Sequence, residues 1–238
     1  SSVQGEGSPQ DSGVRVPHGR GAPRQELVIV ADSDISTTGR LYAMYLVDGA
    51  WTQAAQPIPV VFGWGGVGPK REGDGRSPQG RFRLGDAFGY EAQGPRGVRL
   101  PYEPLAPGSV CVDDDRSDLY NQIVSLEEQG DRFVSSEPMR RDLVLGDDLY
   151  EWGIMVGYNE EGSRDPETDV GLGSCIFLHV WRGPASPTAG CTAMSRADLL
   201  HLMMWLDPTA APAIVQGSRA FLERLHAEGD LAYPVPSD

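Results

Sequence analysis

Ser174-Cys175-Ile176-Phe177-Leu178-His179-Val180-Trp181, followed by Arg182-Gly183-Pro184-Ala185-Ser186-Pro187 and then by Thr188-Ala189-Gly190-Cys191-Thr192-Ala193-Met194, reads as a strand, a loop and a return. Apolar and aromatic residues fill the first run, and Gly183, Pro184 and Pro187 break it. In a strand Cys175, Phe177 and His179 share one face, which puts Cys175 ~13 Å from His179 at ~3.3 Å per residue, too far to be a second nucleophile. His179 and Cys191 stand twelve residues apart, enough for the chain to turn back and bring imidazole and thiol together. A thiol is a strong nucleophile only as thiolate, and a neighbouring imidazole takes its proton. Gly190 lets the backbone approach a bound carbonyl closely, and the N–H groups of Gly190, Cys191 and Thr192 would form an oxyanion hole. A buried Cys beside a Gly and a hydrogen-bonded strand His also arise from plain packing, so residue chemistry alone leaves both readings open.

Outward from that stretch the chain is a series of short β-like runs: Leu27 to Val30, Leu41 to Val47, Trp51 to Ala55, Ile58 to Phe62, Phe82 to Leu84 and Trp152 to Tyr158. Asp48-Gly49 is a hairpin-closing pair. Ser195 is placed to cap a helix over Arg196 to Leu206 with the stripe Leu199, Leu202, Met203 and Leu206, and Ser218 to cap Arg219 to Ala227. A third helix is expected from Ser136, with Pro138 in its first turn. Helical spacing assigns Met203-Met204-Trp205 to the core. Thirty Gly and 19 Pro demand many turns, so the expected fold is mainly β with peripheral helices. Residues 1–24 hold little apolar side chain beyond Val3, Val14, Val16 and Ala22, and read as a disordered linker ahead of a domain over 25–238.

Several function classes are disfavoured. Lys and Arg total 20 against 34 Asp and Glu, a net charge of -14 that suits solubility and not the binding of a phosphate backbone, so no nucleic-acid partner is expected. No apolar run approaches the ~18 residues of a membrane span. Gly63-Trp64-Gly65-Gly66-Val67-Gly68 has dinucleotide-loop spacing, but Pro69, Gly73, Gly75 and Pro78 deny it the helix whose amino end would hold a pyrophosphate. Asp113-Asp114-Asp115 lacks the central Gly and the terminal Glu of an EF-hand and reads as a solvated acidic loop. Cys175, His179 and Cys191 include no short ligand pair of the zinc type, so no metal is expected.

The run from His179 to Met194, H-V-W-R-G-P-A-S-P-T-A-G-C-T-A-M, resembles the active-site signature of the L,D-transpeptidase (YkuD-type) catalytic domain. The upstream segment Gly65 to Phe82, with Gly73-Asp74-Gly75-Arg76-Ser77-Pro78-Gln79-Gly80-Arg81-Phe82, is similar to a second element of that family. Cys111-Val112-Asp113-Asp114 and Gly173 to His179 look like one branch of it, and together the resemblance spans Val28 to Gln216. It implies a β-sandwich-like domain and an exported cysteine acyltransferase of cell wall biogenesis and cell shape, acting in the periplasm or wall without metal or organic cofactor. Cys191 would attack a tetrapeptide stem, release D-Ala and pass the thioester to an amine acceptor, with His179 moving the proton. Peptidoglycan stem peptides would be its partners and carbapenems its covalent inhibitors.

The chain departs from many members of that family in carrying Ala189 and Ala193 where they have a second His and a carboxylate-holding Arg. That leaves open an L,D-carboxypeptidase that trims stems, or an inactive wall-binding module. Arg182 is the candidate replacement anion contact. Trp181 is read equally as lining the acyl pocket or filling the core. With Cys191 set aside, Cys111 and Cys175 form an even pair, as a disulfide or as two buried thiols.

Overall fold

Residues 21–238 are described by a computed structural model, and the linker expected over 1–24 lies outside them except for 21–24. Arg24 is already tied to the domain, its N–H donating to Ala210 O at 2.8 Å.

Every residue of Gln25–Ala31 (β1) is buried, although a strand points alternate side chains to opposite faces. Leu27 and Ile29 enter one apolar cluster, and Val28 and Val30 enter another. Two covered faces are what the uninterrupted run Leu27-Val28-Ile29-Val30 requires. Seven further strands join β1: Thr38–Val47 (β2), Ile58–Val61 (β3), Gly80–Gly89 (β4), Trp152–Val156 (β5), Phe177–Val180 (β6), Thr192–Met194 (β7) and Ala213–Ser218 (β8). They lie in the order β1-β8-β4-β5-β6-β7-β3-β2, and β2 pairs back onto β1 from Gln25↔Tyr45 to Ala31↔Gly39. The mainly β expectation holds, but the sandwich gives way to a barrel-like sheet, because β1 finds hydrogen-bonding partners on both sides and no edge is left between two layers.

Asp48 and Gly49, at φ 49° and 78°, turn β2 into the strand Ala50–Gln53, the backbone signs that a tight hairpin needs. Ser195 Oγ accepts from Asp198 N–H at the start of Arg196–Trp205 (α1), and Ser218 Oγ from Phe221 N–H at the start of Arg219–Ala227 (α2). The α1 stripe Leu199, Leu202, Met203 and Leu206 is buried with the inward residues of the ring. At ~1.5–3 kcal/mol per fully buried side chain, that stripe outweighs the helix's intrinsic propensity. Met204 is 43% exposed, so the Met-Met-Trp cluster joins the core only in part. On the far face of β1 and β8, Leu222 of α2 packs with Leu231 and Tyr233 over Val28, Val30 and Val215.

Two expectations are corrected between β4 and β5. The helix predicted from Ser136 is instead the strand Ser136–Pro138, antiparallel to Ser109–Val112, and a single helical turn starts only at Arg141. Tertiary pairing overrides the local signal there, and Pro138 is tolerated because the strand lies at the edge of its sheet. The Asp113–Asp115 loop is not simply solvated: Asp114 Oδ2 accepts from Val134 N–H at 2.9 Å and Asp115 Oδ2 from Gly171 N–H at 2.7 Å, tying three loops together. Among the described residues no helix is long and apolar enough to cross a membrane.

Candidate active site

β6 and β7 are parallel neighbours with His179 opposite Ala193, so Cys191, just ahead of β7, comes level with Phe177. Phe177 N–H donates to Cys191 Sγ at 3.2 Å, and the thiol donates to Cys175 O at 3.3 Å. Gly190 precedes it at φ 151°, where a Cβ would meet Arg76 O and Lys70 Nζ, each at 3.1 Å. Thr188 Oγ1 secures the turn, accepting from Gly190 N–H at 3.0 Å and donating to Cys191 O at 2.6 Å. Cys191 and His179 are both buried, yet both line one cleft of about 390 Å³, with Gly190, Lys70, Glu137 and Tyr150 among its other walls.

The protonation states follow from burial. His179 Nδ1 lies 2.7 Å from Val180 O, and since a carbonyl can only accept, Nδ1 carries the proton and Nε2 keeps its lone pair. Burial pushes the imidazole down to about 4 and the thiol up to about 12, the latter reinforced by the charge of Glu137. Both groups are therefore neutral near pH 7. No hydrogen bond links them in this resting arrangement, where the thiol faces a backbone carbonyl. At rest the two groups therefore form no thiolate–imidazolium ion pair.

A family model for the YkuD L,D-transpeptidase catalytic domain matches residues 30–215, a span that contains most of the ring and both of these groups. The chain belongs to this family. No curated protein matches it. Among solved structures it is similar to the helical cell shape determining protein Pgp2 from Campylobacter jejuni, at 13% identity and a TM-score of 0.40, covering 85% of this chain and 51% of that one. A mutant form of Pgp2 matches with the same identity and score, and the chain spans about half the length of either structure.

Within this L,D-transpeptidase domain the other sequence-derived residues are dispersed. Thr192 is buried in β7, its hydroxyl donating to Gln216 Oε1 at 2.6 Å. Trp181 lies outside the cleft, in a shallow groove with Tyr90, Arg140 and Arg196. Arg182 borders both cleft and groove, with its half-exposed guanidinium 3.5 Å from Asp147. Cys175 is bonded to Cys111, which removes it from any set of metal ligands and settles the open pairing as a disulfide. Its backbone is left-handed at φ 58°, with its N–H donating to Asn121 Oδ1 at 2.8 Å.

Sequence reasoning passed over much of the cleft. Lys70 is buried with its ammonium 3.2 Å from Asp74, and its charge pulls the Cys191 thiol downward, against the burial. Its signal is its place inside the upstream element Gly65 to Phe82 that resembles the family, an element that by itself assigns the Lys no role. Tyr150 stacks edge-on to His179 with ring centres 5.2 Å apart, and its phenol donates to both oxygens of Glu137, at 3.0 and 3.1 Å. Arg141 lies over the Tyr150 ring and forks onto Asp147 at 2.9 and 2.8 Å. Nothing in the local pattern of residues 137–150 marks these side chains as neighbours of a cysteine more than forty positions on.

Proposed function

We propose that the chain is a peptidoglycan L,D-transpeptidase whose catalytic unit is residues 25–238. The observation that carries this reading is that Cys191, just ahead of β7, and His179, on the parallel neighbour β6, line one cleft. As Cys191 Sγ bonds to the stem carbonyl carbon, its proton passes to His179 Nε2 and the carbonyl oxygen becomes an oxyanion. The hole is built from the backbone at Gly190, Cys191 and Thr192, with Cys191 N–H foremost because Gly190 N–H is engaged by Thr188. Collapse breaks the C–N bond, and the imidazolium returns the proton to the departing D-Ala amine. An acceptor amine then attacks the thioester, loses its proton to His179, and the sulfur leaves with that proton. Arg182, at the lip of the cleft, is the candidate contact for a substrate carboxylate, and Trp181 for a more distant part of the stem. The Cys111–Cys175 disulfide favours an oxidising compartment, the periplasm or the cell wall.

Intact mass after incubation with a carbapenem tests the nucleophile: one covalent adduct is expected, absent in Cys191→Ala. Wild type that stays unmodified while a control transpeptidase is acylated would overturn the reading. Incubation with tetrapeptide stems assigns the acceptor. Dimers with free D-Ala mean transpeptidation, free D-Ala alone means an L,D-carboxypeptidase, and binding without release means an inactive wall-binding module.

A further inference from the structure

The cleft holds a cation that the acyl-transfer steps do not use. Lys70 follows the short strand Val67–Gly68, and only 3% of its side chain is exposed. That side chain is fitted between two glycines. A Cβ on Gly173 would meet Lys70 Cε at 2.8 Å and Cδ at 3.1 Å, and one on Gly190 would meet Nζ at 3.1 Å, so glycine at both positions keeps the ammonium where it is. Nζ therefore stands beside the residue that precedes Cys191, and all three residues line the cleft. Among the described residues its one hydrogen-bond partner is Asp74 Oδ1 at 3.2 Å, and that carboxylate also accepts from the N–H groups of Arg71 and Arg76, at 2.7 and 2.9 Å. An ammonium has three donors, so two are left for a ligand.

The other charges of the cleft are spent or of the wrong sign for an anion. Arg141 forks onto Asp147, and the half-exposed Arg182 at the lip turns to the same carboxylate. Glu72, Asp113 and Glu137 line the cleft as well, so a carboxylate entering it needs a cation with donors to spare. The stem brings such a carboxylate. In a stem that ends in D-Ala, the terminal carboxylate carbon lies three bonds beyond the attacked carbonyl carbon, roughly 3–4 Å from it. The sulfur must come within about 3–3.5 Å of the same carbonyl carbon. The carboxylate is thus carried to within about 7 Å of Cys191 Sγ, and a donor beside the preceding residue is within its reach, since consecutive Cα atoms are only about 3.8 Å apart. Resting on the L,D-transpeptidase assignment, we propose that Lys70 binds the terminal carboxylate of the departing D-Ala and makes the enzyme selective for stems in which that carboxyl is free. Arg182 is then left for a carboxylate farther along the stem.

The test compares two tetrapeptide stems that differ only at the last carboxyl, one free and one amidated, with the released D-Ala or D-Ala amide quantified by mass spectrometry. A hydrogen-bonded charge pair predicts that wild-type kcat/KM falls by about 10- to 100-fold for the amide. Lys70→Met is expected to shrink the difference to within about threefold, whereas Arg182→Gln preserves most of it. Wild type that turns over both stems equally overturns the proposal and leaves the transpeptidase reading standing. Wild type that releases nothing from either stem, while a control transpeptidase turns over the free acid, overturns both. A purely structural Lys70–Asp74 pair predicts that Lys70→Met lowers both stems alike, and that result also sinks the proposal. So does an Arg182→Gln variant that no longer distinguishes the stems, because the carboxylate would then sit at the lip. Should Lys70→Met fail to fold, the wild-type comparison and Arg182→Gln still decide.

Discussion

The two walls of the cleft are built in different ways. One is barrel: His179 and Cys191 are fixed by the pairing of two parallel strands, and backbone groups of Cys175 and Phe177 hold the sulfur. The other is the excursion between β4 and β5, where Glu137, Arg141 and Tyr150 stand on a three-residue strand, a single helical turn and a loop. Backbone ladders place the first wall, and side-chain contacts with one covalent cross-link place the second. Cys191 and His179 therefore sit where backbone ladders hold the chain, while Glu137, Arg141 and Tyr150 sit where sequence can vary with little cost to the ring.

The contrast breaks first if the barrel wall holds an ion pair after all. With the thiol near 12 and the imidazole near 4, the thiolate emerges only at high pH and the imidazolium only in acid, so neither is populated between. Alkylation of the free enzyme by iodoacetamide is expected to climb about tenfold per pH unit from 6 to 11. At pH 7 it should run about a thousandfold below a peptide thiol, since three pKa units separate the two groups. A rate plateau between pH 5 and 8, followed by mass spectrometry at Cys191, would mean a standing thiolate–imidazolium pair.

The excursion wall is tested by its cross-link. Cys111–Cys175 joins the strand Ser109–Val112 to the segment leading into β6, across a sequence separation of 64. In the loop-entropy account a closure of that length stabilises by about 4 kcal/mol. The double variant Cys111→Ala, Cys175→Ala should lower the denaturation midpoint accordingly, and wild type in reductant should match it. Because Cys175 O and Phe177 N–H both contact the sulfur, carbapenem acylation should slow as well. Unchanged acylation in the double variant would mean that the ladder alone positions Cys191, independent of the excursion.

What was legible in the sequence divides along the same line. The short β-like runs, Asp48-Gly49, and the caps Ser195 and Ser218 are local signals, and each produced the element it announced. Closure of the sheet was not legible, because the pairing of β1 with β8 joins segments nearly two hundred positions apart and leaves no mark in either. That His179 and Cys191 border one cleft follows a spacing of twelve residues, enough for a single turn-back. Glu137 was misread for a physical reason: Glu-Pro ahead of Arg-Arg-Asp is a good helix start, and only the partner strand at Ser109–Val112 converts it into an edge strand. Tyr150 and Arg141 carry no periodicity, so their place at the cleft is a property of the folded chain alone.

The smallest expected effect sharpens the claim that the barrel wall is the rigid one. Ser195 Oγ accepts from Asp198 N–H at 3.1 Å and also donates to Asp198 Oδ2 at 2.8 Å, capping a helix that begins two residues after Met194, the end of the strand that follows Cys191. Ser195→Ala removes both bonds, and loss of such a cap costs about 1 kcal/mol of stability. The buried stripe Leu199, Leu202, Met203 and Leu206 remains, so the helix should stay docked and the midpoint of urea denaturation should shift with no change in slope. Acylation of Cys191 should proceed at close to the wild-type rate, because the register of β6 and β7 does not pass through the cap. A loss of acylation larger than the loss of stability would instead make α1 part of what aims the sulfur, and the division between a ladder-fixed wall and a contact-fixed wall would have to be redrawn with the helix on the catalytic side.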